Sequence, residues 1–220
     1  MSKNLFTKDP QETTLGRKIV RESISMINQL GFEAFTFKKL AKRIDSTEAS
    51  VYRYFDNKHR ILVYVIAWYW NWMEYKIDYE VHNISDPIEK LKIALRIITA
   101  ETKQDPAFPE VDEVALHRIV LSESDKTYLT KQVDEDNREG LFMGFKSLCR
   151  KIAEFVDEIN PEFEYSRSLI STALKASHQQ LFYAEHLPSL TNLENGDVDI
   201  YKNNEQFLKT VVFNTIRLTH

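Results

Sequence analysis

Apolar side chains stand at positions 141, 145, 148, 152, 155 and 159, and this 4-3-4-3-4 spacing brings all six onto one face only if the segment is a helix. A seam of that kind must be covered, so the helix packs against others. The same rhythm opens the chain, where Ile19, Val20, Ile24, Ile27 and Leu30 line one side of a segment that stops at Gly31, a residue suited to a left-handed cap. Five glycines and six prolines in 220 residues are too few for a fold built on hairpins, and the chain reads as all-α.

Local signals divide the chain into nine helices. After 13–30, Thr36 stands as an N-cap before Phe37, Leu40 and Ile44, and the chain breaks at Asp45-Ser46. Thr47 caps a further short helix, with Glu48 in its first turn and Val51 and Phe55 four apart. Asp56-Asn57 then precedes a long helix from Lys58 to about Tyr79. Asp86-Pro87-Ile88-Glu89 places an acidic cap, a proline at the first helical position and a capping-box glutamate before a helix running to about 103. Asp105–Pro109 interrupts the pattern, and helices are expected over about 110–121, 141–159 and 163–186. Pro188 and a polar turn at Asn195-Gly196-Asp197 precede the last, about 203–218. No Gly-rich or Ser-rich linker separates the two halves, so the fourth helix is expected to join a domain over 1–58 to one over 59–220.

From Ile61 to Met73 only Asn71 is non-hydrophobic, but thirteen residues fall short of the roughly 20 needed to span a bilayer. A helix buried on most sides fits better. The single Cys149 rules out an internal disulfide and a cysteine-clustered zinc site, and the polar residues after Met1 hold no signal-peptide core, so a cytoplasmic location is expected. Gly16, Gly31, Gly140, Gly144 and Gly196 are too scattered for a phosphate-cradling loop, and no nucleophile elbow occurs. His178 and His186, eight apart, cannot chelate one metal alone. No catalytic residue, cofactor or metal is expected. Net charge is -4 but uneven: residues 1–60 carry 12 Lys+Arg and 7 Asp+Glu, a balance of +5, and the other 160 carry 17 and 26, a balance of -9. The basic end is the candidate anion-binding end.

Two short helices with a tight break over residues 36–55, behind a longer first helix, form the arrangement of a helix-turn-helix DNA reader. Phe37, Leu40, Ala41, Ile44, Val51 and Phe55 can close a small core behind the second short helix. The run from Gly31-Phe32 through Thr36-Phe37-Lys38-Lys39-Leu40-Ala41 to Ser50-Val51-Tyr52-Arg53-Tyr54-Phe55 and Asn57-Lys58 resembles the head of TetR-type regulators. The likeness is close over about 13–65 and elsewhere extends only to length and helix count. Two positions depart from the family pattern, which usually has Gly at Asp45 and an apolar residue at Ser46. Asp tolerates the left-handed backbone better than most residues, so the turn survives; the loss of an apolar plug at Ser46 is harder to explain.

The resemblance implies that Thr36 and Thr47 present helix N-termini to phosphates, with Tyr52, Tyr54 and Lys58 holding the backbone. It gives base reading to Glu48, Ala49, Ser50 and Arg53. Tyr52 and Tyr54 are two apart and cannot both face one way on a helix, so covering core is an equal reading for one of them. The resemblance further implies a repressor that binds a palindromic operator in double-stranded DNA as a homodimer and is released by a small effector. Dimer candidates are Leu174, Leu181, Phe182, Val212 and Ile216, which the sequence allows equally as intrachain core. An aromatic fourth helix, with Tyr64, Trp68, Tyr69, Trp70, Trp72 and Tyr75, suits an apolar or aromatic effector, or else fills core. Candidate pocket residues are Trp68, Trp72, His117, Cys149 and His178. The alternative function is a helical ligand-binding or adaptor protein that has lost specific DNA binding.

Overall fold

The computed structural model describes residues 3–104, 111–193 and 199–217. The expected interruption at Asp105–Pro109 lies outside these residues, as does the turn at Asn195-Gly196-Asp197. The described residues hold eleven α-helices and no strand. They are α1 (Thr14–Leu30), α2 (Phe37–Arg43), α3 (Glu48–Tyr52), α4 (Lys58–Val81), α5 (Pro87–Thr99), α6 (Glu113–Glu123), α7 (Asp125–Tyr128), α8 (Val133–Arg138), α9 (Met143–Ile159), α10 (Ser166–His186) and α11 (Ile200–Arg217). Two more helices appear than the sequence suggested: α7 and α8, of four and six residues, are too short to show a periodic apolar face.

The chain forms two compact units, Met1–Trp70 with Thr102–Gly144, and Asn71–Glu101 with Phe145–His220. In the first, Thr13 caps α1 by accepting the Gly16 N–H at 2.9 Å. A 3-10 turn at Pro10–Glu12 lies so close to Gly16 that a Cβ there would collide with the Pro10 backbone. Gly31 ends α1 at φ 75, its N–H donating to the Ile27 carbonyl at 2.9 Å. Asn57 starts α4 by accepting the Arg60 N–H at 2.9 Å. The apolar run of α4 is interior: Ile61 through Ala67, Tyr69, Trp70 and Met73 are all buried. No helix among the described residues is long and apolar enough to cross a membrane.

In the second unit Asp86 caps α5 by accepting the Ile88 N–H at 3.0 Å, with Pro87 at the first helical position as expected. Glu89 pairs with Lys92 at 2.6 Å. The helix stops at Thr99, short of 103, where the Thr99 hydroxyl turns back to the Leu95 carbonyl and Ala100 becomes extended. The seam on α9 is buried at Leu148, Ile152 and Phe155, widened by Ala153 and Val156. Between α10 and α11 the fully buried Asn204 donates to the Ser177 carbonyl at 3.1 Å and to its hydroxyl at 3.0 Å, which fixes the register of the pair.

Candidate nucleic-acid interface

The turn between α2 and α3 depends on one residue. Asp45 has φ 53, the one positive value among described non-glycine residues. It reverses the chain so that the Ser46 N–H donates to the Ala41 carbonyl at 2.9 Å. Ser46 is half-buried where the family pattern has an apolar plug. The core beneath closes without it, because Phe35, Leu40, Val51 and Phe55 are completely or almost completely buried and Phe37, Ala41 and Ile44 nearly so. Polar staples add to this. Lys18 Nζ donates to the Ile44 carbonyl at 2.8 Å. Arg43 reaches from α2 to Glu22 at 2.8 Å and to the Ser25 hydroxyl at 3.0 Å on α1. The Arg43 hydrogen bond holds the Glu22 carboxyl below the ordinary carboxylate range, with Arg21 assisting and burial opposing.

On this core Glu48, Ala49, Tyr52 and Arg53 are exposed and Ser50 is half-buried. Thr36 and Thr47 are exposed caps, accepting the Lys39 and Ser50 N–H groups, each at 3.2 Å. The two tyrosines part company. Tyr52 is 51% exposed and rests edge-on against Phe37 at 4.8 Å between ring centroids. Tyr54 is 4% exposed, its hydroxyl 2.8 Å from Thr13 Oγ1, so it supports the head from within. Lys58 lies 4.6 Å from the Phe32 ring centroid and donates to the Phe32 and Glu33 carbonyls at 3.1 Å each, which occupies two of its three protons. Two cations on α2 escaped the sequence reading. Lys38 and Lys42 are exposed and make no ion pair or hydrogen bond among the described residues. Their i, i+4 spacing with no acidic partner was the available signal.

The end of α1 is tied to α6 within the same unit. Glu123 accepts the Phe32 N–H at 3.0 Å with one carboxylate oxygen and meets Lys126 at 2.7 Å with the other. Lys126 also reaches Glu33 at 3.4 Å, and the Glu123 hydrogen bond chiefly raises its pKa. Six residues earlier on α6, the buried His117 shares a 2.9 Å hydrogen bond through Nδ1 with the Tyr69 hydroxyl of α4.

The expected pocket residues are divided between the units. Trp68 and His117 belong to the first, and Trp72, Cys149 and His178 to the second. Trp72 is half-buried beneath Lys76, 4.5 Å from its ring centroid. His178 is buried, and burial pushes the Cys149 thiol up to about 12. Of the residues expected at a dimer interface, Leu174, Leu181, Val212 and Ile216 are buried inside their own chain and only Phe182 keeps partial exposure. The exposed apolar residues of α11 are instead Phe207 at 39% and Val211 at 38%, one turn apart. Periodicity identified the apolar face of each helix but not what covers it.

Residues 19–65, which contain the turn, both short helices and the start of α4, match the model for bacterial regulatory proteins of the tetR family. This segment is a tetR-family head. No curated protein matches the chain. Among solved structures it resembles the fatty acid degradation regulator FadR from Bacillus halodurans, at 17% identity and a TM-score of 0.58 over 87% of this chain and 92% of that one. It resembles AibR, solved with isovaleryl coenzyme A and operator DNA, at 15% identity and a TM-score of 0.56 over 88% and 97%. The ketosteroid regulator KstR2 of Mycobacterium tuberculosis follows at 13% identity and 0.53 over 92% and 95%. At such identities the likeness is one of fold. The chain therefore has the fold of a DNA-binding transcriptional regulator, a tetR head with a helical body.

Proposed function

We propose that the protein is a cytoplasmic repressor that binds a palindromic operator as a homodimer and is released when a small, apolar or aromatic effector binds its body. The observation that carries the reading is the outward face of α3, where Glu48, Ala49, Tyr52 and Arg53 are exposed over the buried Val51. Arg53 would address guanine and Glu48 the cytosine amino group, with Ala49 and Ser50 beside them. Thr36, Thr47, Tyr52 and the third proton of Lys58 would meet phosphates, and Lys38 and Lys42 would add charge on α2. Tyr54 keeps a supporting part. The functional boundary is set near residue 58, the head being 1–58 and the effector and dimer domain 59–220. Phe207, Val211 and Phe182 would face the second copy, over the intrachain core formed by Leu174, Leu181, Val212 and Ile216.

A single head this small buries little surface, and two heads about one helical turn apart add their contacts, which is why an inverted repeat is expected. AibR was solved in complex with isovaleryl coenzyme A and operator DNA, which supports a regulator that takes a small organic molecule as well as DNA. Candidate effector contacts are Trp68 and His117 within the first unit and, separately, Trp72, Cys149 and His178 within the second. The test is selection of binding sites from random DNA with the purified protein at two salt concentrations. Enrichment of an inverted repeat, falling as salt rises through counterion release, is the expected result. No enrichment at either salt would favour a helical adaptor that has kept the head without its use.

A further inference from the structure

Residues 4–12 precede the first helix and are tied to the rest of their unit along their length. Leu5 is 1% exposed, and the Phe6 ring meets Tyr64 edge-on at 6.0 Å between centroids. The Thr7 N–H donates to the Tyr54 carbonyl at 2.9 Å, and its hydroxyl donates to Asp56 at 3.0 Å. Pro10 is buried, and the Gln11 amide donates to the Tyr64 hydroxyl at 3.0 Å. Asn4 closes the other end, donating to the Glu139 carbonyl at 3.0 Å while its own carbonyl accepts from Arg60 at 3.2 Å. An arm anchored in this way holds a fixed course past the end of α3.

One side chain of the arm is left over. Lys8 is exposed and makes no ion pair or hydrogen bond among the described residues. Neither nearby carboxylate pairs with it: Asp9 accepts the Gln11 N–H at 2.8 Å, and Asp56 accepts the Thr7 hydroxyl. The Lys8 ammonium lies 5.6 Å from the Tyr54 ring centroid. Tyr54 itself is only 4% exposed, so the group presented here is the lysine, directly beside the exposed Arg53 along the chain.

We propose that the arm delivers Lys8 to a DNA phosphate beyond the end of α3, a backbone contact made from outside the helix-turn-helix. The inference rests on the DNA reading proposed above and extends the surface that performs it. An ammonium is a compact point charge on a flexible stem, which suits a phosphate oxygen, whereas telling one base from another favours the two-pronged fork of arginine. The Thr7 and Pro10 anchors on either side and the tyrosine ring beneath restrain Lys8 before DNA arrives, so less freedom is lost on binding. A phosphate contact carries no sequence information, and its signature is therefore electrostatic.

The experiment is fluorescence-anisotropy titration of the full chain, across a salt series, with a duplex of the selected sequence and with a mixed-sequence duplex. Wild type, Lys8→Gln and Lys8→Arg are compared. Each phosphate contact contributes about 0.9 to the slope of log affinity against log salt, so Lys8→Gln should flatten that slope by about 0.9 per bound copy. At about 0.1 M salt the same relation gives a loss of about eightfold per copy. The loss should be equal on the two duplexes, and Lys8→Arg should restore both slope and affinity. Both variants should melt within about 2 °C of wild type, because Lys8 is exposed and outside the core. A Lys8→Gln protein with the wild-type slope and affinity overturns the assignment while leaving DNA reading intact. So does a loss confined to the selected duplex, or a loss accompanied by a lowered melting temperature that Lys8→Arg does not restore. A wild-type protein that binds neither duplex removes the DNA reading itself and this inference with it.

Discussion

Replacing Glu123 with alanine should loosen the DNA-reading head although Glu123 is far from it in sequence. Its side chain is 9% exposed, and one oxygen accepts the Phe32 N–H at 3.0 Å. A hydrogen bond to a charged acceptor contributes about 1.5–3 kcal/mol net, and alanine also leaves the buried N–H without a partner. The Lys126 side of the pair adds little, because that ammonium is 39% exposed and returns to water. The expected loss is therefore about 2 kcal/mol, or roughly 4–8 °C in the thermal transition of a chain this size. Hydrogen exchange at the Phe32 amide should accelerate about thirtyfold, the equivalent of that energy in a local opening. Glu123→Gln keeps the acceptor and gives up the charge, so it should cost about 1 kcal/mol or less. Calorimetry with amide-resolved exchange measures both. A Glu123→Ala protein within about 0.5 kcal/mol of wild type, with Phe32 still protected, would refute the reasoning. So would a glutamine variant as unstable as the alanine one, since the ion pair would then carry the effect.

Three further outcomes are expected. Asp45→Gly should stabilise the head by about 0.5–1 kcal/mol in denaturant titration, because glycine relieves the positive φ and gives back part of the gain as unfolded-state entropy. Glu22 has a folded pKa below its ordinary 4.5, so its contribution is present above pH 4.5 and is lost as pH falls through the lowered folded value. Thermal transitions at pH 7 and in that acid range should therefore differ less in Glu22→Gln than in wild type. The Cys149 thiol, pushed up to about 12 by burial, should react far more slowly with iodoacetamide at pH 8 than the same residue in denaturant, whereas equal rates would contradict its burial.

Features written into short stretches were legible in the sequence. Thr36, Thr47 and Asp86 cap the helices they precede because an oxygen acceptor there meets N–H groups two or three residues on, a purely local requirement. Asp45 could be read as the left-handed turn residue for the same reason. Tyr52 and Tyr54 could be seen to diverge, though only the packed head assigns Tyr54 to the inside. Contacts joining distant segments were not legible. The Glu123 bond to Phe32 spans 91 residues, and nothing near either one announces it. The second occupant of an apolar face was equally hidden, which is why Val212 and Ile216 suit a dimer interface in sequence and lie in the intrachain core in the fold.

The most direct measurement is the affinity of wild type and Arg53→Ala for the selected duplex and for a scrambled one, at two salt concentrations. If α3 reads bases, wild type should prefer the selected duplex strongly, both affinities should fall with salt, and Arg53→Ala should lose about 1–3 kcal/mol on the selected duplex alone. Equal affinity of wild type for the two duplexes, or an Arg53→Ala protein that keeps the full preference, would contradict recognition through this helix.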